Sequence, residues 1–247
     1  ERLRRYNARQ AVHQNQLKRR RRDNVLAVGS IVVIAAVAAV AQVFFFNGGP
    51  GTPTPEPSSS ASPAPVGVNV GDVPPPSFAE GKMWTGTLGF NEVSLGISLD
   101  GALAPQAVAS MLADSLSGYY VGKTCHRLLS SPTAGLLQCG SIDGTGASDP
   151  TYSFGPIENA PADGIYPAGT IAIARGSDDA YSNGRQFFIV FQDATLPADS
   201  AGGYTVVGQV TSGLDDLLGQ IVNAGTADGS SDGPPLVTTS ITSFTIQ

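Results

Sequence analysis

The sequence predicts a mainly β domain, a closed barrel of about eight strands capped by two α-helices, preceded by one transmembrane helix. Short apolar segments with period-two alternation recur through residues 81–247, which is typical of strands. Only two segments in that region have helical spacing, and they lie far apart. Many short strands with two separated helices are typical of a closed, capped barrel. The transmembrane helix is predicted by a long uncharged segment at 25–46.

The N-terminal segment 1–24 is strongly basic. It contains nine Lys and Arg residues against Glu1 and Asp23, a net charge of +7, whereas the rest of the chain carries −13. A basic run can bind nucleic acid, but this one has a single aromatic residue, Tyr6, and no recognisable domain around it. Beside a membrane helix it is better explained as a cytoplasmic topology signal that touches anionic headgroups. Because the first residue is Glu1 rather than Met, we expect a further segment before it.

Residues 25–46 predict the membrane span. The 22 residues contain no charge, and at about 1.5 Å per residue they would extend roughly 33 Å, enough for a hydrocarbon core of about 30 Å. The four arginines at 19–22 predict a cytoplasmic N-terminus and an extracytoplasmic C-terminal part. A signal peptide cleaved after residues 39–41 is the alternative. The apolar run continues through 43–46, which favours an uncleaved single-pass signal-anchor in the cell membrane.

Residues 47–80 are predicted to be a disordered linker. They are rich in Pro, Ser and Gly and include Pro74-Pro75-Pro76, a composition that cannot bury a core. The linker is followed by residues 81–247, which are long enough for one extracytoplasmic domain with an ordinary core.

The elements of this domain are predicted in the following order. Strands at 84–88 and 93–99 are joined by a Gly/Asn turn, and a helix at 105–116 has a proline in its first turn. Short strands follow at 123–129, 136–140, 169–174, 186–191 and 204–210. A second helix is predicted at 214–222 and a last strand near 236–246.

This order, together with five motifs, resembles the cyclophilins, the peptidyl-prolyl cis-trans isomerases. The motifs in chain order are His126-Arg127, Leu137-Gln138-Cys139-Gly140, residues 169–174, Gln186-Phe187-Phe188-Ile189 and residues 204–210. The resemblance covers nearly all of residues 81–247. It implies the barrel fold of that family and an enzyme that acts on X-Pro bonds. With the Ala-, Gly- and Pro-rich composition, a membrane-anchored form similar to those of high-GC Gram-positive bacteria is expected.

The resemblance implies two catalytic residues, Arg127 and His126. Rotation about a peptide bond meets a barrier of about 18–20 kcal/mol, and its catalyst needs a donor that favours the twisted prolyl nitrogen rather than a nucleophile, metal or cofactor. The permanently charged guanidinium of Arg127 suits that role. Strand alternation would point His126 to the opposite face, so its direct participation stays open. No cofactor is expected.

The resemblance also implies eight substrate-binding residues. They are Leu136, Gln138, Ala174, Arg175, Gln186, Phe188, Leu196 and Tyr204. Phe188 would form the floor of a proline pocket, and the two glutamines would bind the substrate backbone. Ala174 and Arg175 would pair with the extended peptide as an added strand.

Several positions depart from the family pattern. Arg175 stands where members usually have Asn, and Tyr204 where many have His. Gly135 occupies the position of an apolar pocket residue, and the segment 130–134 is longer than the usual connection, so a shallower pocket is expected. No tryptophan lies near Leu196, which predicts weak cyclosporin binding.

Cys125 and Cys139 are the only cysteines. They lie on strands expected to be neighbours, so outside the membrane they predict a disulfide, with two reduced buried thiols as the alternative. Two cysteines without a second nearby histidine cannot complete a zinc site, and no metal is predicted. Residues 81–247 contain one histidine and no Gly-x-Ser-x-Gly elbow, which excludes Ser-His-Asp hydrolysis.

The sequence therefore predicts a peptidyl-prolyl cis-trans isomerase that assists the folding of exported, proline-containing polypeptides outside the membrane. The alternative is a catalytically weak or inactive peptide-binding, scaffold or chaperone module, which Gly135 and the longer loop favour. The acidic extracytoplasmic part disfavours nucleic acid as a partner.

Overall fold

The computed structural model describes residues 67–247. The predicted basic segment 1–24, the predicted membrane span 25–46 and linker residues 47–66 lie outside the described residues. Within residues 67–247, none of the helices combines the length and the apolar character that a membrane crossing requires. This region is mainly β with two α-helices, as the sequence predicts.

The strands and helices of the described region are numbered in chain order. The first half contains β1 (Met83–Phe90), β2 (Val93–Asp100), α1 (Pro105–Leu116), β3 (Cys125–Ser131), β4 (Ala134–Cys139) and β5 (Ile165–Tyr166). The second half contains β6 (Thr170–Ile173), β7 (Phe187–Gln192), β8 (Ala194–Thr195), β9 (Val206–Ser212), α2 (Leu214–Gln220), β10 (Asp232–Gly233) and β11 (Ile241–Ile246). Short 3₁₀ turns occur at Pro76–Ala79 and Val222–Ala224.

Nine of the strands form one curled sheet in the order β10-β3-β4-β7-β6-β9-β2-β1-β11. With the separate two-stranded sheet of β5 and β8, the described region has three strands more than the eight predicted. The ninth strand of the large sheet is the two-residue β10, which adds to the edge of β3. Backbone contacts also connect β3 with the approach to β11: Thr124 bridges Ser240, and the Cys125 N–H donates to the Thr239 carbonyl at 2.9 Å. These bonds bring the two ends of the long sheet together.

Strand β7 separates two apolar clusters. Phe187, Ile189 and Phe191 belong to the large core, which also contains the buried apolar residues of both helices. Phe188 and Val190 point to the other face and join a smaller cluster. This alternation follows from the period of two along a strand. The smaller cluster lies under the candidate site.

A distant carboxylate completes the first turn of α1. Pro105 begins the helix, but the preceding Ala104 has no side chain that can cap it. Instead, Glu158 accepts hydrogen bonds from the backbone N–H groups of Gln106 and Ala107 at 3.0 and 2.9 Å. Burial raises the pKa of Glu158 although both backbone N–H groups oppose this. The helix start thus depends on a residue that is far away in the sequence.

The last strand is shorter than predicted. Residues 236–240 do not join the sheet as a strand, and β11 begins at Ile241. The side chain of Asn91 donates to the Thr238 carbonyl at 2.9 Å and accepts from the Ser240 N–H at 3.0 Å. These bonds to the turn between β1 and β2 hold the segment away from regular strand pairing.

Residues 67–80, at the end of the segment assigned to the linker, pack against the domain. Val70 forms a two-way backbone bridge with Ser153 at 2.8 and 3.1 Å. The indole N–H of Trp84 donates to the Ala79 carbonyl at 2.8 Å. Ordered structure therefore begins before residue 81.

Candidate functional site

A β-bulge in β3 sets the direction of Arg127. Cys125 pairs with Cys139 and Arg127 pairs with Gln138, so His126 and Arg127 together oppose one residue of β4. A bulge interrupts strand alternation and re-aims side chains. As a result, Cys125 lies in the large core while Arg127 lies on the face that carries the smaller cluster.

A pocket of about 220 Å³ opens on this face. It is lined by Arg127, Leu129, Leu136, Gln138, Ala174, Arg175, Phe188, Leu196 and Tyr204. All of these except Leu129 are residues that the family resemblance implies. Leu129 follows Arg127 by two positions, so strand alternation is a signal that would have identified it. The rings of Phe188 and Tyr204 pack edge to face with centroids 5.4 Å apart, a favourable arrangement for an aromatic wall.

Gly135 lies outside the lining of this pocket. A Cβ atom at this position would lie 2.5 Å from a ring carbon of Phe191 and 2.8 Å from the Cβ of Gln192. The glycine therefore allows β4 to approach β7 closely. On this side, the apolar wall of the pocket is formed by Leu129 and Leu136 instead.

Arg127 is held by a carboxylate that the sequence analysis did not identify. Its Nε and Nη2 atoms donate to Oδ1 and Oδ2 of Asp232 at 2.7 and 2.8 Å. The pair is partly open to solvent, with the two side chains 42% and 44% exposed. The paired hydrogen bonds raise the pKa of Arg127 and lower the pKa of Asp232. Arg127 thus stays cationic at every physiological pH.

A chain of amide groups continues from Arg127 along the pocket rim. Nη1 of Arg127 faces Oε1 of Gln138 at 3.4 Å, and Nε2 of Gln138 donates to Oε1 of Gln186 at 2.9 Å. Gln186 in turn donates to the carbonyl oxygens of Gly146 and Ala147 at 3.0 and 2.9 Å. Gln186 lies beside the pocket rather than in its lining, and its amide is held by the loop that contains Gly146 and Ala147.

His126 lies beside the pocket and not in its lining. A Cβ atom at Gly146 would lie 2.8 Å from the imidazole Cδ2, so the ring packs against the same loop that holds Gln186. The Nδ1 atom is buried without a hydrogen-bond partner within residues 67–247. Burial, and then the charge of Arg127, lower the pKa of His126. The imidazole is therefore neutral at neutral pH, and its direct participation stays a prediction.

The side chain of Arg175 is fully engaged within the protein. All five of its N–H groups are used, in bonds to three glycine carbonyl oxygens and to both carboxylate oxygens of Asp199. The side chain is 2% exposed, and its guanidinium lies 5.2 Å from the ring centroid of Tyr204. By contrast, the backbone N–H and carbonyl of Arg175 have no hydrogen-bond partner among the described residues. The side chain braces the pocket wall, and the backbone is available to a ligand.

A second cavity of about 120 Å³ adjoins the pocket and shares Ala174 with it. Arg185 in its wall donates to Asp114 at 3.0 Å and to Asp149 at 2.8 Å, and lies 3.7 Å above the ring of Tyr152. The second carboxylate oxygen of Asp114 is buried and has no partner in the described part of the chain. Burial raises the pKa of Asp114 to about 6, although Arg185 opposes the shift.

Cys125 and Cys139 form the predicted disulfide. The bridge joins β3 to β4 immediately beside the pair Arg127 and Gln138. Residues 67–247 contain no cluster of three or more His, Cys, Asp or Glu side chains that could hold a metal ion.

Comparisons with known proteins point to one family. Residues 85–246 match the family model described as cyclophilin type peptidyl-prolyl cis-trans isomerase/CLD. The chain is 35% identical over 165 residues to the probable peptidyl-prolyl cis-trans isomerase B of Mycobacterium tuberculosis, a match that covers 62% of this chain and 51% of the relative. The corresponding protein of Mycobacterium leprae is 34% identical over 166 residues, with 62% and 54% covered. The chain thus spans about half the length of these curated relatives.

The fold is also similar to solved structures. A crystal structure of a cyclophilin type peptidyl-prolyl cis-trans isomerase from Cryptosporidium parvum, determined in the presence of the dipeptide Ala-Pro, superposes with a TM-score of 0.52. It is 24% identical, and the match covers 66% of this chain and 96% of the other. At this identity the similarity establishes the curled β fold with its two helices.

Proposed function

The chain belongs to the family of cyclophilin-type peptidyl-prolyl cis-trans isomerases, and we propose that it catalyses cis-trans isomerisation of X-Pro bonds. The observation that carries the proposal is the cation Arg127 at the wall of a pocket that is otherwise lined mainly by apolar and aromatic side chains, since the second arginine of the lining, Arg175, uses all its N–H groups within the protein. X-Pro bonds populate both isomers but exchange over tens of seconds or longer. Their rotation requires no bond to form or break, so a pocket and an electrostatic donor are sufficient.

Arg127 supplies the electrostatic step. As the X-Pro bond twists, its resonance is lost and the prolyl nitrogen gains a localised lone pair, which accepts a hydrogen bond better than the planar nitrogen does. Nη1 and Nη2 each carry two N–H groups, and each retains one beyond its bond to Gln138 or Asp232. A preference of about 5 kcal/mol for the twisted form would accelerate rotation by three to four powers of ten.

Apolar side chains hold the proline ring while the bond turns. The ring contacts are Leu129, Leu136, Phe188, Leu196 and Tyr204. Contacts on several sides of the ring fix its position, so the chain on the other side of the bond rotates relative to it.

The substrate backbone is aligned by polar groups beside the pocket. The free backbone N–H and carbonyl of Arg175 pair with the extended peptide as an added strand does. Gln138 and Gln186 bind further peptide groups. The neutral ring of His126 also packs against Gly146 in the loop that fixes Gln186, so His126 contributes to this alignment besides the direct role that the family resemblance implies.

The substrates are exported, proline-containing polypeptides, which fold outside the cell membrane with the help of this enzyme. The uncharged segment 25–46 and the arginines at 19–22 support a single-pass anchor with a cytoplasmic N-terminus. The disulfide supports an oxidising compartment for the catalytic domain. Cyclosporin binding is weak, because no tryptophan lies near Leu196.

A peptide-binding module without turnover is the second candidate. It is favoured by the pairing of Asp232 with two N–H groups of Arg127, which leaves fewer donors for a substrate. The two candidates differ in whether peptide binding is accompanied by faster isomer exchange.

The deciding experiment measures cis-trans exchange of an Ala-Pro peptide by exchange NMR with the full chain in a mild detergent. We expect acceleration by the wild-type protein and a loss of at least tenfold in Arg127→Ala. Lys82→Ala is the matched control, because it removes one positive charge from an exposed ion pair with Glu80. It should leave the rate unchanged. Peptide binding without acceleration in the wild type would contradict the isomerase proposal and support the binding module.

A further inference from the structure

We propose that Asp232 is a positioning residue for catalysis: its carboxylate fixes the guanidinium of Arg127 so that the terminal N–H groups face the proline pocket. The inference rests on the proposed isomerase function. Asp232 acts through Arg127 and need not touch the substrate.

The geometry of the pair leaves the required edge of Arg127 open. Asp232 occupies the edge formed by Nε and Nη2 with two bonds of 2.7 and 2.8 Å. Two parallel bonds fix the plane of a guanidinium as well as its position. Gln138 contacts Nη1 from the other strand at 3.4 Å. The second N–H of Nη2 lies on the terminal edge, beside one N–H of Nη1, and this is the edge a prolyl nitrogen can approach.

Asp232 lies on a short hairpin whose base is closed by backbone hydrogen bonds. In β10, Asp232 pairs with Leu129, which shares its strand face with Arg127 two positions earlier. The base of the hairpin is closed by backbone bonds of 2.8 Å from Leu236 to Gly225 and from Ala227 to Pro234. The Ser230 hydroxyl donates to the Asp232 carbonyl at 2.9 Å. The carboxylate therefore sits on a braced element and not on a free loop.

The negative charge of Asp232 has an opposing effect, since it weakens the positive potential that Arg127 offers to the substrate. The pair is 42% and 44% exposed, so solvent reduces the interaction between charges considerably. Solvent does not weaken the second effect of Asp232 in this way, because the two hydrogen bonds still fix the position and plane of the guanidinium. An arginine without this partner samples many rotamers of a long side chain. Positioning therefore outweighs charge at this site.

The test compares Asp232→Ala with the wild type in the full chain. We expect the rate of Ala-Pro exchange, expressed as kcat/KM, to fall about fivefold, with most of the loss in kcat. Asp232→Glu keeps a carboxylate and should recover part of the rate. Asp216→Ala removes the same charge from an exposed position in α2 and should behave like wild type.

A double-mutant cycle shows whether the effect passes through Arg127. Arg127→Lys cannot form the two-bond pair, so adding Asp232→Ala to it should change the residual rate by less than about 1.5-fold. An equal fivefold loss in both backgrounds would overturn the proposal. So would an Asp232→Ala protein that is as active as wild type or more active.

The NMR signal of the Arg127 Nε–H group gives a readout that is independent of turnover. We expect a sharp, slowly exchanging signal in the wild type that is lost in Asp232→Ala at an unchanged thermal midpoint. A signal that survives the substitution would refute positioning even in an inactive protein. An inactive wild type that shows the expected signal change would refute the isomerase function and leave the positioning of Arg127 supported.

Discussion

Reduction of the disulfide between Cys125 and Cys139 is expected to destabilise the domain by about 3 kcal/mol. The two cysteines are 14 residues apart in the sequence, and closing a loop of about 15 residues in the unfolded chain corresponds to roughly 3 kcal/mol in the chain-entropy treatment. Both residues are buried, at 4% and 0% exposure, so the reduced thiols stay in the core and lose little packing. Most of the effect therefore arises in the unfolded state.

The assay is thermal unfolding of the full chain with and without reductant, followed by near-UV circular dichroism. For a domain of this size, about 3 kcal/mol corresponds to a fall in Tm of roughly 6–12 °C. The temperature at which peptide isomerisation is lost should fall in parallel, because the bridge joins the strands that carry Arg127 and Gln138. The double variant Cys125→Ala/Cys139→Ala should unfold at the lower temperature and should not respond to reductant.

Two results would refute this reasoning. Mass spectrometry that finds both thiols free in the native protein would show that the alternative of two reduced cysteines is correct. A reduced protein with an unchanged Tm would show that the bridge restricts the unfolded chain very little, as expected if residual pairing of the β3 and β4 segments persists after unfolding.

Two further predictions concern buried charges near the site. Burial gives Asp114 a folded pKa of about 6 against an ordinary value of 3.8, so the folded state binds this proton more tightly than the unfolded state does. The resulting contribution to the free energy of unfolding is complete below about pH 4. It is lost as the pH rises through 6, by at most about 3 kcal/mol. Asn does not titrate, so urea unfolding should show that the stability of Asp114→Asn relative to wild type increases as the pH is raised from 4 to 7. Arg175→Asn removes five hydrogen bonds from a side chain that is 2% exposed, and should lower the free energy of unfolding by about 2–3 kcal/mol and raise KM for the peptide, since Tyr204 loses its support.

Controls separate these effects from general charge changes. Asp216→Asn should follow the wild-type pH dependence, because this residue in α2 is exposed and the charges that act on Asp114 are those of Arg185 and Asp149. A wild type and an Asp114→Asn variant whose difference is constant from pH 4 to pH 7 would contradict the raised pKa. An Arg175→Asn variant with wild-type Tm and KM would show that the backbone alone holds the pocket wall.

The sequence predicted those features that depend on local patterns. Period-two alternation predicted the strands, and the same period explains why Phe187 lies in the core while Phe188 lies in the pocket. Alternation alone would place Cys125 and Arg127 on the same face of β3, but a bulge inserts one residue between them and breaks the period. A bulge depends on how two strands register against each other, so one strand taken alone does not reveal it.

The sequence by itself determined the mainly β fold and the cysteine pair, since residue type and spacing carry that information, and its resemblance to the cyclophilins implied most of the residues that line the pocket. Only the tertiary structure decided what surrounds each charge. Asp232 lies 105 residues from its partner Arg127, and Glu158 caps a helix that begins more than 50 residues earlier. Arg175 became a brace because loops distant in sequence converge on its guanidinium. Such partners are set by chain topology and strand register, to which no local pattern of residues corresponds.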